Sequence, residues 1–199
     1  MLLIRTEGGL GPVIHPDALA PIEQFLTTIG LPVTRAQLPS DSFLPGVAVR
    51  HGALKVDPDQ LGSPGDILHE AGHLAVTPAR LRGRLDADID ACAAALIEDT
   101  DLKVTETEAS ILNRTEPLAI AWSYAAALEA GVSPECVFWE QGYGGQHGGS
   151  PQLVMMQVAQ GLFPGVLGLA QSGFCAAPPP FGDPADPAPF PKMRRWLAA

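Results

Sequence analysis

Three residues of types that can do chemistry stand at a defined spacing in Asp66-Ile-Leu-His-Glu-Ala-Gly-His-Leu-Ala75: His69, Glu70 and His73, in the order HExxH. On an α-helix, positions i and i+4 share a face, so both imidazoles can reach one metal ion. Glu70 lies about 100° around the helix from His69, beside such an ion rather than on it. Two neutral imidazoles with an adjacent carboxylate are the parts of a zinc site with a general base. The competing reading is a metal-free pair of buried histidines, which requires hydrogen-bond partners for both rings.

The flanks predict the helix that holds these residues. Ser63 is placed to cap it, with Pro64 at the first helical position and Asp66 three residues after the cap. Thr77-Pro78 ends it, because the residue before proline is pushed out of the α region. Ile67, Leu68, Ala71, Leu74 and Ala75 surround the polar residues, which predicts a buried helix, and Gly72 allows a second backbone to come close. Directly before it, Gly46 to Asp57 holds two β-prone runs around His51-Gly52, a tight hairpin. A second helix runs from Thr115, as cap, to a stop at Gly131, with Pro117 in its first turn. Its alanine-rich body implies close packing on another helix, and Glu116, on one face with Ala119, Ile120 and Ser123, can project into the core.

Elsewhere the patterns are structural. Met1 to Arg5 reads as a short strand, and Pro16 to Ile29 as a helix with Leu19, Ile22, Phe25 and Leu26 inward and Gly30 as its stop. His15 before it reads as a surface residue. Asp86, Asp88 and Asp90 alternate like the start of a calcium loop, but Ala91 and Ile97 stand where its glycine and closing glutamate belong. An acidic loop entering a short buried helix at Ala91 to Ile97 is expected instead. Ser133 to Phe138 forms a capped turn, and Gly142 to Ser150 is a glycine-rich loop carrying Tyr143 and His147. Ser150-Pro151 starts a helix that Gly161 stops. The expected architecture is α+β, mostly helical with a small sheet or hairpin beside the HExxH helix. Residues 1–175 form one domain in this reading, with 176–199 a proline-rich tail packing on the body.

At 199 residues, 46% hydrophobic and 17% charged, the chain reads as one soluble globular domain. Its 22 acidic and 12 basic residues give a net charge of −10, which argues against nucleic acid or an anionic membrane as partner and is compatible with a peptide or protein substrate. Three widely spaced cysteines, Cys92, Cys136 and Cys175, suggest neither a disulfide framework nor a cysteine zinc site. The N-terminus lacks a secretory pattern, and the longest apolar run, 15 residues from Gly161 to Cys175, is shorter than a membrane span, so a cytoplasmic protein is expected.

The HExxH segment with its flanks resembles the zincin superfamily of metallopeptidases. The metzincin extension is absent, since Val76 and Ala79 stand where its glycine and third histidine would be. The segment Glu116-Pro-Leu-Ala119 is similar to the gluzincin pattern, in which a glutamate on a later helix completes the site and a small residue follows three positions on. The resemblance implies a zincin-like fold in which one strand of the Gly46 to Asp57 hairpin is the edge along which an extended substrate lies, Zn2+ held by His69, His73 and Glu116, and Glu70 as general base. Glu98 is the alternative third ligand, with Asp101, Glu129 and His147 behind it. It also implies a donor for the oxyanion, for which Tyr143 and His147 are the candidates and Tyr124 stands behind them. The activity implied is peptide-bond hydrolysis. The alternative is a zinc-binding or regulatory module without peptidase activity.

Overall fold

The computed structural model describes residues 3–6, 9–39, 44–142 and 150–199, with side chains from residue 13 onward. It is an α+β structure. A ribbon of β1 (Leu3–Thr6) and β2 (Gly9–Pro12) leads into a 3-10 turn at Pro16–Ala18 and helix α1 (Leu19–Thr28). Ile22, Phe25 and Leu26 of α1 are buried, and Gly30, at φ 89°, turns the chain out of the helix.

A three-stranded sheet follows: β3 (Val33–Arg35), β4 (Val47–Arg50) and β5 (Ala53–Val56). Its order is β3-β5-β4, with β5 parallel to β3 and antiparallel to β4. His51 and Gly52 both have positive φ, 50° and 72°, as a two-residue turn between right-twisted strands requires. Arg50 therefore pairs with Ala53, and β4 is left at the edge of the sheet against the next helix.

That helix, α2 (Gly65–Val76), carries HExxH, and every residue in it except Glu70 is buried. Its start keeps the predicted return of Asp66 to Ser63 and adds a long-range partner for the Ser63 hydroxyl. The Ser63 hydroxyl accepts from the Gly65 N–H at 3.3 Å but donates to the Cys136 carbonyl at 2.5 Å, and the Asp66 carboxylate reaches back to the Ser63 N–H at 3.3 Å. The far end is tied by longer-range partners. Arg82 donates through Nε to the Leu74 carbonyl at 2.7 Å, and the Ala198 N–H donates to the Ala75 carbonyl at 2.8 Å, so carbonyls that a helix end leaves unpaired are met. Residues 176–199 touch the body again where Trp196 packs edge-on against Phe25 and Trp122, and the Trp122 Nε1–H donates to the Trp196 carbonyl at 3.0 Å.

After the short α3 (Ala79–Arg82) come α4 (Ile89–Glu98) and α5 (Glu106–Leu112). Helix α4 starts earlier than predicted and is only half buried: Ile89, Ala93 and Leu96 face inward while Ala91, Ala94 and Ala95 are exposed. Alanine is tolerated on both faces, so its run gave no amphipathic stripe. Helix α5 begins with a Thr105/Glu108 capping box, a signal present in the sequence but left unread.

Helix α6 (Thr115–Glu129) starts with Thr115 already inside it, so Arg114 rather than Thr115 is the cap position. It packs on α2 and, across its other side, on α8 (Pro164–Gln171), which follows a Ser133-capped 3-10 turn (Pro134–Cys136) and α7 (Pro151–Ala159). Gly72 marks the closest approach of α2 and α6: a Cβ added there would stand 2.9 Å from both Cα and the carbonyl oxygen of Ala119. These are backbone atoms and cannot rotate away. Gly72→Ala should therefore push the two helices apart and lower stability by about 1–3 kcal/mol in chemical denaturation. An unchanged midpoint would show that the contact is not strained by a methyl group.

Candidate metal centre

The HExxH spacing and the closeness of α6 together bring three donor-bearing side chains to one point. His69 Nε2 and His73 Nε2 are 3.2 Å apart, with their rings nearly perpendicular at 89°. Across from them, Glu116 in the first turn of α6 places Oε2 at 3.2 Å from His73 Nε2 and Oε1 at 3.6 Å from His69 Nε2. All three donor atoms lie within 4.8 Å of one another. In a tetrahedral zinc site with bonds of about 2.0–2.1 Å, adjacent donors stand about 3.3 Å apart, so this donor set fits zinc in type, and the His69–His73 and His73–Glu116 separations of 3.2 Å fit in spacing. Both Nε2 atoms face each other and the Glu116 carboxylate, an arrangement that one shared cation satisfies.

The local charge also favours a cation. Burial works to lower the His73 pKa, but the Glu116 carboxylate bonded to it, with Glu70 and Asp90 nearby, outweighs burial and raises it. Burial raises the Glu70 pKa; His73 opposes this and Glu116 adds to it. Carboxylates thus crowd a dry pair of imidazoles, and each would be relieved by a divalent ion between them.

His69, Glu70, His73 and Glu116 open on a cavity of about 400 Å³. Its other walls are β4, through Val47, Ala48 and Arg50, and the entry to α4, through Ala87, Asp88 and Asp90. Glu70, the one α2 residue that is only partly buried, faces this space without joining the donor cluster.

Other candidates lie elsewhere. Glu98 ends α4 and is exposed, outside the donor cluster, and Asp101 and Glu129 are exposed as well. Tyr124, two turns beyond Glu116, packs between Phe138 and Phe190 with ring centroids 6.2 and 6.1 Å away, and does not line the cavity. Tyr143 and His147 fall outside the described residues. His15 is exposed. Cys136 and Cys175 are buried, with burial pushing their thiols up to about 12 and about 11, so neither offers a thiolate.

The sequence reading missed Arg50 and the roles of the acidic triplet. Asp86 accepts from Arg50 at 3.2 Å and pairs with His51 at 3.0 Å, Asp88 caps α4 through the Ala91 N–H at 2.9 Å, and Asp90 lines the cavity. The alternation of Asp86, Asp88 and Asp90 was visible; the hairpin arginine that they meet is 36 residues away from the first of them.

The chain matches no protein-family model, and comparison with curated proteins and with solved structures finds no similar protein.

One buried carboxyl positions the start of the HExxH helix. Burial pushes Asp66 up to about 7, against the Trp139 Nε1–H at 3.0 Å and the Ser63 N–H, while Glu70 adds to the rise. An unfolded aspartate titrates near 3.9, so the folded state holds the extra proton between about pH 4 and 7. This carboxyl's contribution to stability is therefore full below about pH 4 and declines as pH rises to about 7. Asp66→Asn should remove that component of the slope, seen as a wild-type minus variant difference in unfolding free energy that shrinks from pH 4 to pH 7. A difference independent of pH would contradict the raised pKa.

Proposed function

We propose that this protein is a zinc-dependent metallopeptidase of zincin-like architecture. The observation that carries the reading is the convergence of His69, His73 and Glu116 on one point, with Glu70 facing the same cavity from the same helix. A zinc ion held there would supply Lewis acidity and lower the pKa of a coordinated water towards neutral. His69 and His73 offer Nε2 and Glu116 a carboxylate oxygen to it. Glu70 accepts the proton of the attacking water at a carboxylate oxygen and delivers it to the leaving amine, a task suited to a carboxyl whose pKa is raised by burial.

The substrate lies along β4. This strand is the edge nearest α2, and Val47, Ala48 and Arg50 line the cavity. Part of the edge is already taken, since the Val49 carbonyl accepts from the Ala87 N–H at 3.1 Å, so strand-like pairing is limited to a short length.

One observation favours a second reading, a zinc-holding module without hydrolysis: the described residues lining the cavity include no tyrosine or other hydroxyl side chain to stabilise an oxyanion. A single variant separates the two. Glu70→Gln should keep one zinc per chain by elemental analysis while peptide cleavage, followed with fluorogenic peptides, falls by about 100-fold or more. Cleavage by the variant at the wild-type rate would remove Glu70 as base, and a wild-type protein that binds zinc but cleaves nothing would favour the module.

A further inference from the structure

Arg50 has no part in holding a metal, yet it shares the cavity with the donor cluster. It carries the one guanidinium or ammonium among the described residues that line this space. Its orientation is fixed from one side. Nη1 donates to the Val49 carbonyl and to Asp86 Oδ1, both at 3.2 Å, and Asp86 is in turn held by its bond from the Ala87 N–H at 2.8 Å and by His51. Nε and Nη2 make no bond to a described residue, and the side chain is 37% exposed. A guanidinium braced on one nitrogen, with three N–H donors left over, presents the fork that matches a carboxylate.

The surroundings say which carboxylate. Away from the donor cluster, Asp88 and Asp90 make the wall opposite acidic, so along that part of the cavity an anionic group is favoured only beside Arg50. At the same place the Ala87 N–H closes the outer edge of β4 at Val49, the residue before Arg50, and the Gly52 N–H donates to the Leu85 carbonyl at 2.8 Å. The segment 85–88 thus walls off the hairpin end of the strand. An extended chain that reaches Arg50 along β4 has little room to continue, which makes a chain end the natural occupant.

Resting on the peptidase reading above, we propose that Arg50 anchors the free C-terminal carboxylate of a short peptide, so that the site takes peptide C-termini rather than internal segments. The donor cluster and Glu70 line the same cavity as this anchor. Arg50 is then a specificity residue, outside the proton transfers.

The test is a binding comparison that needs no turnover. Zinc-loaded Glu70→Gln protein is titrated calorimetrically with the dipeptide Ala-Leu and with Ala-Leu amide. Loss of a charge-assisted bidentate contact should weaken the amide about tenfold or more. Adding Arg50→Gln should bring the acid-to-amide ratio close to 1, and Arg50→Lys, which keeps the charge but not the fork, should leave an intermediate ratio. The ratio is taken within one protein, so a general loss of folded protein does not imitate the effect. Equal affinities for acid and amide, tighter binding of the amide, a ratio unchanged by Arg50→Gln, or no binding of either dipeptide at millimolar concentration would each overturn the proposal. An acid preference that depends on Arg50 in a wild-type protein that cleaves no peptide would leave the anchor standing and remove the peptidase.

Discussion

The approach of two helix backbones at Gly72 and Ala119 sets the position of everything that could bind a metal. Helix α2 alone can offer two imidazoles and no third donor, because the next residues on its face are apolar or end the helix. Helix α6 supplies the third only if its first turn lies within a few ångströms of His69 and His73. Glycine on one helix and alanine on the other bring the axes that close, and the buried run from Leu118 to Ala127 holds them there. Interiors packed at this density shift little, so the donor spacing is a property of the core.

The same closeness concentrates charge. Glu70 and Glu116 face the histidine pair from two helices, and Asp90 adds a third carboxylate from the start of α4. Burying such groups is costly unless they are paired, and a divalent cation held by His69, His73 and Glu116 would also offset the neighbouring Glu70 and Asp90 charges. Around this centre the protein arranges supports rather than further donors. Asp66 ties the start of α2 to Trp139, Arg82 and Ala198 tie its end, and the hairpin and the 85–88 segment form the opposite wall of the cavity.

Much of this was legible in the chain itself. The HExxH spacing, the Gly72 opening, the His51-Gly52 turn and the alanine-rich second helix each follow from local rules, and each has its place in the structure. Glu116 was harder, since no local rule says which carboxylate on which helix comes near; it was singled out by a small residue three positions on, Ala119, and is placed beside the histidines by tertiary packing. Arg50 was illegible for the same reason. Its meaning depends on Asp86, far along the chain, and on a cavity that exists only after folding. The half-exposed α4 misled because alanine carries no strong burial signal, and Tyr124 because a position two turns beyond Glu116 points to Phe138 and Phe190 instead of to the site.

The central claim is that His69, His73 and Glu116 together hold one zinc ion. Zinc K-edge X-ray absorption on the protein loaded with one equivalent of zinc tests it most directly. The account predicts a first shell of nitrogen and oxygen only, at about 2.0–2.1 Å, with outer-shell scattering from two imidazoles. A sulfur shell near about 2.3 Å, or a shell with no imidazole scattering, would contradict it.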